Sequence, residues 1–334
     1  MSERQEGGRR EGEHAVADAV VPAAESTAPG ARTRLRASLS ATTERLARAG
    51  IVSASVEARA LLERAAAATG PLVLLDELPE DFDADLEALV ARRCAREPLQ
   101  LILGSAPFRR LRLDVRPGVF IPRPETEVAI DVLLEHARST RVRRVVDLCT
   151  GSGALAAAVV DELPAADVTA VEIDPAAVDL AEENLRRAHR DGAPGTARVL
   201  RADITDAAAL AGLRGIDAVI SNPPYIPADC VSTDPEVLRH DPERALYGGG
   251  ADGLDLPRAV IARAAEVLVA DGLLVMEHAD VQGEATRALA EGSGAFADVR
   301  TVADLTGRDR FLVAVRRAAG DTSDPMTGSG RLTR

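Results

Sequence analysis

From Arg143 to about Arg317 the chain repeats one pattern: a short apolar run, a turn, then an Ala-rich stretch long enough for a helix. The strand-like runs are Arg144–Leu148, Val168–Ile173, Ala197–Ala202, Asp217–Ser221, Leu273–Glu277 and Phe311–Val315. Ala154–Glu162, Ala176–Ala188 and Arg258–Val269 read as helices between them. Apolar strands separated by helices predict an α/β fold whose parallel sheet is covered on both faces. Ligands in such sheets bind beyond the carboxyl ends of the strands. Chemistry is therefore expected on that rim.

The N-terminal part reads differently. Residues 1–33 are rich in Gly, Glu, Ala and Arg and are expected to be a disordered tail, as are residues 318–334. Between them, residues 34–97 carry helical stripes: Leu35, Leu39 and Leu46 in a run stopping at Gly50, then Ala58, Leu61, Leu62 and Ala65, then Asp85 to Val90. Short helices with brief connections predict a small helical domain. Residues 98–140 contain Pro98, Pro107, Pro117, Pro122 and Pro124 and are expected to be an extended linker. Residues 141–317 complete the sheet domain.

Composition narrows the function classes. A net charge of -13, with every cation an Arg, disfavours a broad grip on nucleic acid, which needs many basic groups against phosphates. Cys94, Cys149 and Cys230 are far apart and lack CxxC spacing, so neither a disulfide framework nor a metal site is expected, and a reducing cytoplasm is the simplest home. No signal-peptide core and no apolar run of membrane-spanning length is present. Aromatics are only 2%, so Ala, Val and Leu must fill the core.

The first strand–helix junction reads Asp147-Leu-Cys149-Thr150-Gly151-Ser152-Gly153. Its glycines permit a sharp turn close to a ligand, and Asp147 at the strand end is suited to a cationic group. Glu172 ends the next strand, where a carboxylate can accept both hydroxyls of a ribose. Asp203 follows the third, where it can accept from an adenine amino group. One acid at a strand end is usually only solvated; three in succession beside a Gly turn form a pattern. The GxGxxG fingerprint is not reproduced at this turn, and no GxxxxGK[ST] phosphate loop occurs. Adenosine bound without a phosphate grip points to S-adenosylmethionine.

The most specific stretch is Asn222-Pro223-Pro224-Tyr225 after a strand. Pro223 and Pro224 fix φ and lack N–H groups, so the turn is stiff and presents acceptors. The Asn222 side-chain oxygen and the Pro223 carbonyl can accept both hydrogens of one planar NH2 group. Such a nitrogen is a poor nucleophile because its lone pair is delocalised, and holding both hydrogens orients it toward a methyl donor. Tyr225 can stack on the flat substrate and exclude water.

These residues resemble the release factor glutamine methyltransferase family, the HemK/PrmC type of N5-glutamine methyltransferase, from about Leu35 to Arg317. The resemblance rests on Pro98–Gly104, the IPRPETE run ending at Glu127, DLCTGSG, NPPYIP, Glu277-His278 and Leu305–Phe311. NPPY alone is shared with enzymes that methylate adenine or guanine amino groups, whereas IPRPETE ahead of the Gly turn is more specific. The resemblance implies a Rossmann-like class I methyltransferase sheet of seven strands behind a helical domain that helps dock the substrate protein. Its expected substrate is the glutamine of the GGQ loop in class I peptide chain release factors, with S-adenosylmethionine as cofactor, a monomeric enzyme, and no membrane or direct nucleic-acid partner. A ribosomal-protein glutamine, or adenine or guanine in nucleic acid, stays open as the alternative target, and a non-catalytic binding module is the rival from another class.

By position the resemblance places Cys149, Thr150, Gly151, Ser152, Gly153, Glu172 and Ile204 along the cofactor. Asn222 touches cofactor and substrate, Pro223, Pro224 and Tyr225 hold the glutamine, and the Arg123–Glu127 stretch, with Arg123 and Glu125, closes the pocket. Two positions depart from the family pattern: Cys149 stands where its first turn glycine is usual, and Leu101 where Tyr is frequent. A positive φ at Cys149 is expected to cost about 1 kcal/mol or more.

Overall fold

The computed structural model describes residues 30–230 and 234–318, so the expected tails lie outside it except at their inner edges. Four helices come first: α1 (Ala31–Arg48), α2 (Ala54–Ala65), α3 (Phe82–Cys94) and α4 (Leu99–Leu103). α1 starts inside the stretch expected as tail. Its end is a Schellman turn: Gly50 adopts φ 78°, its N–H reaches Ala47 O, and the Ile51 N–H reaches Leu46 O. Leu46, Ile51, Leu61, Leu62, Phe82 and Val90 bury together as a core of their own. Phe82, Leu86 and Val90 recur at four-residue spacing, the stripe that turns α3 inward.

Residues 98–140 are not an extended linker. α4 is followed by an antiparallel hairpin of β1 (Ser105–Phe108) and β2 (Leu111–Asp114), a 3-10 turn at Pro124–Glu127, and helix α5 (Val128–His136). The prolines mislead because Pro98 caps α4 and Pro124 opens the 3-10 turn, where a missing N–H costs nothing. Phe108, Leu113, Ile130 and Leu133 join the main core. Leu101 packs on the small cluster of Ala106, Val115 and Ile121.

The sheet domain then runs β3 (Arg144–Leu148), α6 (Ala154–Glu162), β4 (Asp167–Glu172), α7 (Pro175–Arg190), β5 (Thr196–Arg201), β6 (Ile216–Ser221), α8 (Pro235–His240), α9 (Asp255–Val267), β7 (Leu268–Glu277), α10 (Gly283–Gly292), β8 (Phe296–Ala303) and β9 (Asp309–Arg316). Seven strands form one sheet in the order β5-β4-β3-β6-β7-β9-β8, and only β9 runs antiparallel to its neighbours. This is the Rossmann-like class I methyltransferase arrangement. All six expected strands are present; β8 is an addition.

Neighbouring residues serve opposite faces. Val145, Leu273, Val275, Phe311 and Val313 meet α5 and α6 residues on one side. Val146, Leu274, Met276, Leu312 and Ala314 meet α9 on the other. The chain runs from β3 outward to β5, then returns to β6 on the opposite side of β3. That reversal creates a crevice at the carboxyl ends of β3 and β6. Among the described residues no helix is long and apolar enough to cross a membrane, and no cluster of His, Cys, Asp or Glu is placed to hold a metal ion.

Candidate active site

Leu148 and Ser221 are register partners at the ends of β3 and β6, and the Ser221 hydroxyl donates to Leu148 O at 2.6 Å. The glycine turn and the Asn-Pro-Pro-Tyr turn therefore leave the sheet side by side. Both line one cavity of about 380 Å³, within the usual range for small-molecule sites.

One end is built from the turn after β3 and the ends of β4 and β5. Cys149, Thr150, Gly151, Ser152, Glu172, Asp203 and Ile204 line it. Cys149 has φ 60°, so the strained left-handed conformation that glycine would occupy freely is adopted here by a residue with a side chain. Cys149 is half-buried in the cavity wall, and burial pushes its thiol well above the usual range, with the charges of Glu172, Asp147 and Asp203 adding to the effect. Glu172 accepts from the N–H groups of Gly151, Ile173 and Asp174, each at 2.9 Å. Its carboxylate is thus pinned, with one of roughly four lone-pair sites still open. Asp203 is held in its ionised form by the Thr205 hydroxyl and N–H on one oxygen, leaving the other for a ligand.

Asp147 and Gly153 do not reach the cavity wall. Asp147 is fully buried behind the turn, where one carboxylate oxygen accepts from the Thr150 hydroxyl and the Ala156 N–H. Its other oxygen is buried with no partner among the described residues. Burial pushes its pKa up to about 7, against the pull of those two bonds. Gly153 caps α6 with φ 82°, and a Cβ there would lie 3.1 Å from Ala181 Cα.

The other end is built from Asn222, Pro223, Pro224, Tyr225, Arg123 and Thr126. The Asn222 amide donates to Thr126 Oγ1 at 3.1 Å, Thr126 donates to Glu277 Oε2 at 2.6 Å, and the Tyr225 hydroxyl donates to Glu277 Oε1 at 3.1 Å. Glu277 is 3% exposed, and burial pushes its pKa up to about 7 although Thr126, Arg310 and Tyr225 all favour the charged form. The turn is fixed from behind as well: Gln282 donates to Tyr225 O at 2.8 Å and to Asp252 O at 2.9 Å. Gly253, with φ 71°, backs so closely on it that a Cβ would fall 2.3 Å from Tyr225 O.

Arg123 faces the cavity across Phe120, 5.0 Å from the ring centroid, and pairs with the buried Asp241 at 2.6 Å. Glu125, expected beside it, is exposed and outside the cavity wall. The 3-10 turn explains the correction: successive side chains point about 120° apart, so Thr126 is the one turned inward. Thr126 enters the sequence reading only as one member of the Arg123–Glu127 stretch, and Glu277 and Gln282 have no individual role there. Glu277-His278 stood out only as part of a resemblance, and Thr126 lay hidden among prolines and charges.

The cavity's cations suit no phosphate. Arg123 and Arg244 are each committed to a carboxylate, Asp241 and Asp174 respectively. With those cations paired, Glu172 and Asp203 leave the wall acidic, which fits adenosine carrying a cationic sulfonium.

Comparisons with known proteins agree with that chemistry. Residues 38–104 match the family model described as PrmC N-terminal domain, and residues 110–239 match Methyltransferase small domain. A release factor glutamine methyltransferase of Mycolicibacterium smegmatis is 43% identical over 292 residues, covering 86% of this chain and 99% of the relative. One from Bifidobacterium longum is 46% identical over 238 residues, covering 70% and 80%. Among solved structures, TrmN from Thermus thermophilus is 23% identical with TM-score 0.39, covering 57% of this chain and 48% of that one.

Proposed function

The chain belongs to the release factor glutamine methyltransferase family, and from that premise we propose how its cavity divides the work. The enzyme transfers a methyl group from S-adenosylmethionine to the N5 side-chain amide of the glutamine in the GGQ motif of class I release factors. When bound, the cofactor supplies a methyl on a sulfonium, so the leaving group needs no help from an acid. All remaining difficulty lies in the weak amide nucleophile.

In this reading Cys149–Ser152 and Ile204 seat the cofactor, with Gly153 turning the chain into α6 behind them, Glu172 takes a ribose hydroxyl, and Asp203 takes the adenine amino group. Asp147 acts from behind the turn, bracing Thr150 and the start of α6. Asn222 Oδ1 and the Pro223 carbonyl receive the two hydrogens of the glutamine NH2. Pro224 and Tyr225 wall the flat amide from water, and Arg123 closes the mouth through Asp241. Fixing a reactant in this way is worth up to roughly 7–11 kcal/mol of barrier in favourable systems. The helices of residues 34–97 dock the release factor, and the monomer works in the cytoplasm.

One observation carries this assignment: Asn222 turns its NH2 toward Thr126 and donates one N–H to it, so the carboxamide's opposite atom is an acceptor, as an incoming amide NH2 requires. The test is transfer of labelled methyl to purified release factor, compared with tRNA, rRNA and duplex DNA. Label is expected in release factor alone, and Asn222→Ala is expected to abolish it with the fold intact. Label in nucleic acid with none in release factor would overturn the reading.

A further inference from the structure

We infer that Thr126 and Glu277 are positioning residues that fix which way round the Asn222 carboxamide faces. The inference deepens the assignment of Asn222 as holder of the substrate amide and rests on it. A carboxamide can present either its oxygen or its NH2 to a ligand with almost no change of shape. Only the oxygen serves an incoming NH2 group. Presented the other way, two NH2 groups would face each other.

The order of donors settles the choice. Glu277 sits at the buried end of the chain, and as a carboxylate it can only accept. Tyr225 donates to its Oε1 and Thr126 to its Oε2. Thr126 has one hydroxyl hydrogen, spent on Glu277, so toward Asn222 it can only accept. Asn222 must therefore turn its NH2 to Thr126, which leaves Oδ1 for the cavity. The charge on a carboxylate two bonds away thus becomes a fixed orientation at the reacting end.

Two near-isosteric substitutions reverse or cut this chain. In Glu277→Gln the Tyr225 hydroxyl still needs an acceptor at the Oε1 position, so the new NH2 falls opposite Thr126. Thr126 then accepts from Gln and donates outward, and Asn222 flips. In Thr126→Val the link is missing altogether, whereas Thr126→Ser retains it.

The experiment measures kcat and KM with release factor for these three variants and for Asn222→Ala. It also follows the 1H–15N resonance of the Asn222 side-chain amide in cofactor-free protein, assigned by its loss in Asn222→Ala. Thr126→Val and Glu277→Gln are expected to lower kcat at least about tenfold, with the amide resonance displaced and cofactor affinity within about threefold of the original. Thr126→Ser is expected to recover most of the rate.

Acidification should act like Glu277→Gln, because a protonated Glu277 can donate to Thr126. The wild-type kcat then has an acidic limb that the Gln variant lacks. The groups facing Glu277 are Arg310 and Tyr225, with Glu125 also acting on it and His278 next in the chain. Retention of kcat within about twofold in both Thr126→Val and Glu277→Gln, or an unmoved resonance in both, would overturn the inference while an inactive Asn222→Ala preserved the amide site itself. An active Asn222→Ala would overturn both.

Discussion

Arg93 Nη1 lies 2.8 Å from Glu236 Oε1, joining residues 143 apart in the chain across the seam between α3 and α8. The same guanidinium holds Glu57 and the Glu97 carbonyl, and its side chain is only 5% exposed. α8 leads directly into Pro242 and Arg244–Leu246, which line the cavity. The helical domain and the active-site wall therefore share one buried cation.

Removing that cation should be costly. Arg93→Met strips Glu57 of its guanidinium partner and leaves Glu236 with Arg96 alone, at 3.0 Å, and the two carboxylates' exposures of 14% and 21% soften the penalty only in part. Breaking a buried pair on one side costs about 3–5 kcal/mol, so a loss of about 2–3 kcal/mol is expected here. Urea unfolding checks it, and an unchanged midpoint would mean the cluster contributes nothing. The companion Glu236→Ala should raise KM for release factor while cofactor affinity stays put, because α8 loosens but the glycine turn does not.

Asp147 makes the stability of the cofactor-free protein depend on pH. Its folded pKa is raised to about 7 by burial, whereas an unfolded aspartate titrates near roughly 4. Between those values the folded state keeps a proton that the unfolded chain has lost. The stabilisation is therefore complete below the unfolded value and fades as pH rises toward the folded one, with a slope of at most about 1.4 kcal/mol per pH unit. Glu277 titrates in the same window with the same sign, so the comparison must be with Asp147→Asn. The stability of wild type minus that of the variant should fall from pH 5 to pH 7, and a constant difference would remove Asp147 as the source.

The central parallel strands were legible because they are apolar on both faces, as in Val145-Val146 and Leu274-Val275. β8 was not, because it pairs only with β9, is bulged between Ala297 and Arg300, and buries Phe296 alone among exposed charges such as Asp298 and Arg300. Residues 98–140 failed for another reason: proline forbids helix interiors but welcomes helix starts, and Pro98 and Pro124 occupy starts. Within the site, the cavity-lining residues of the two turns were readable from local spacing. Asp147 was placed at the correct strand end, yet only packing reveals that its carboxylate turns inward. Thr126 acquires meaning through Glu277, 151 residues away, and no local pattern holds that pairing.

In the proposed assignment Glu172 has two tasks, and removing it should disturb both. Its carboxylate gathers three backbone N–H groups, one of them from Gly151 in the cofactor turn. Glu172→Ala should therefore lower cofactor affinity by more than a lone ribose contact would, by about 30-fold or more, the sum of a charge-assisted bond and a loosened turn. Calorimetry with S-adenosylmethionine measures it, and unchanged affinity would strip Glu172 of its cofactor role. kcat at saturating cofactor should fall less than the affinity does, since the Asn222 end is untouched.

Cys149 offers a test of strain in the cofactor turn. Its φ of 60° brings Cβ against the following carbonyl oxygen, at a cost of about 1–2 kcal/mol that glycine avoids. Cys149→Gly relieves this but adds about 0.5–1 kcal/mol of unfolded-chain entropy, so its net stability should sit at or slightly above wild type. Cys149→Val keeps the φ and adds a branched side chain, and should lose about 2 kcal/mol or more, together with cofactor affinity. Thermal unfolding of the two variants separates them. If Val melts with wild type, the turn is not strained at this residue. The thiol itself should be a bystander: burial holds its pKa well above the usual range, so alkylation at mildly alkaline pH should mark the exposed Cys230 first. Cofactor affinity should survive that labelling, and its loss on modification of Cys230 alone would show that the turn communicates with the surface that follows the Asn-Pro-Pro-Tyr turn.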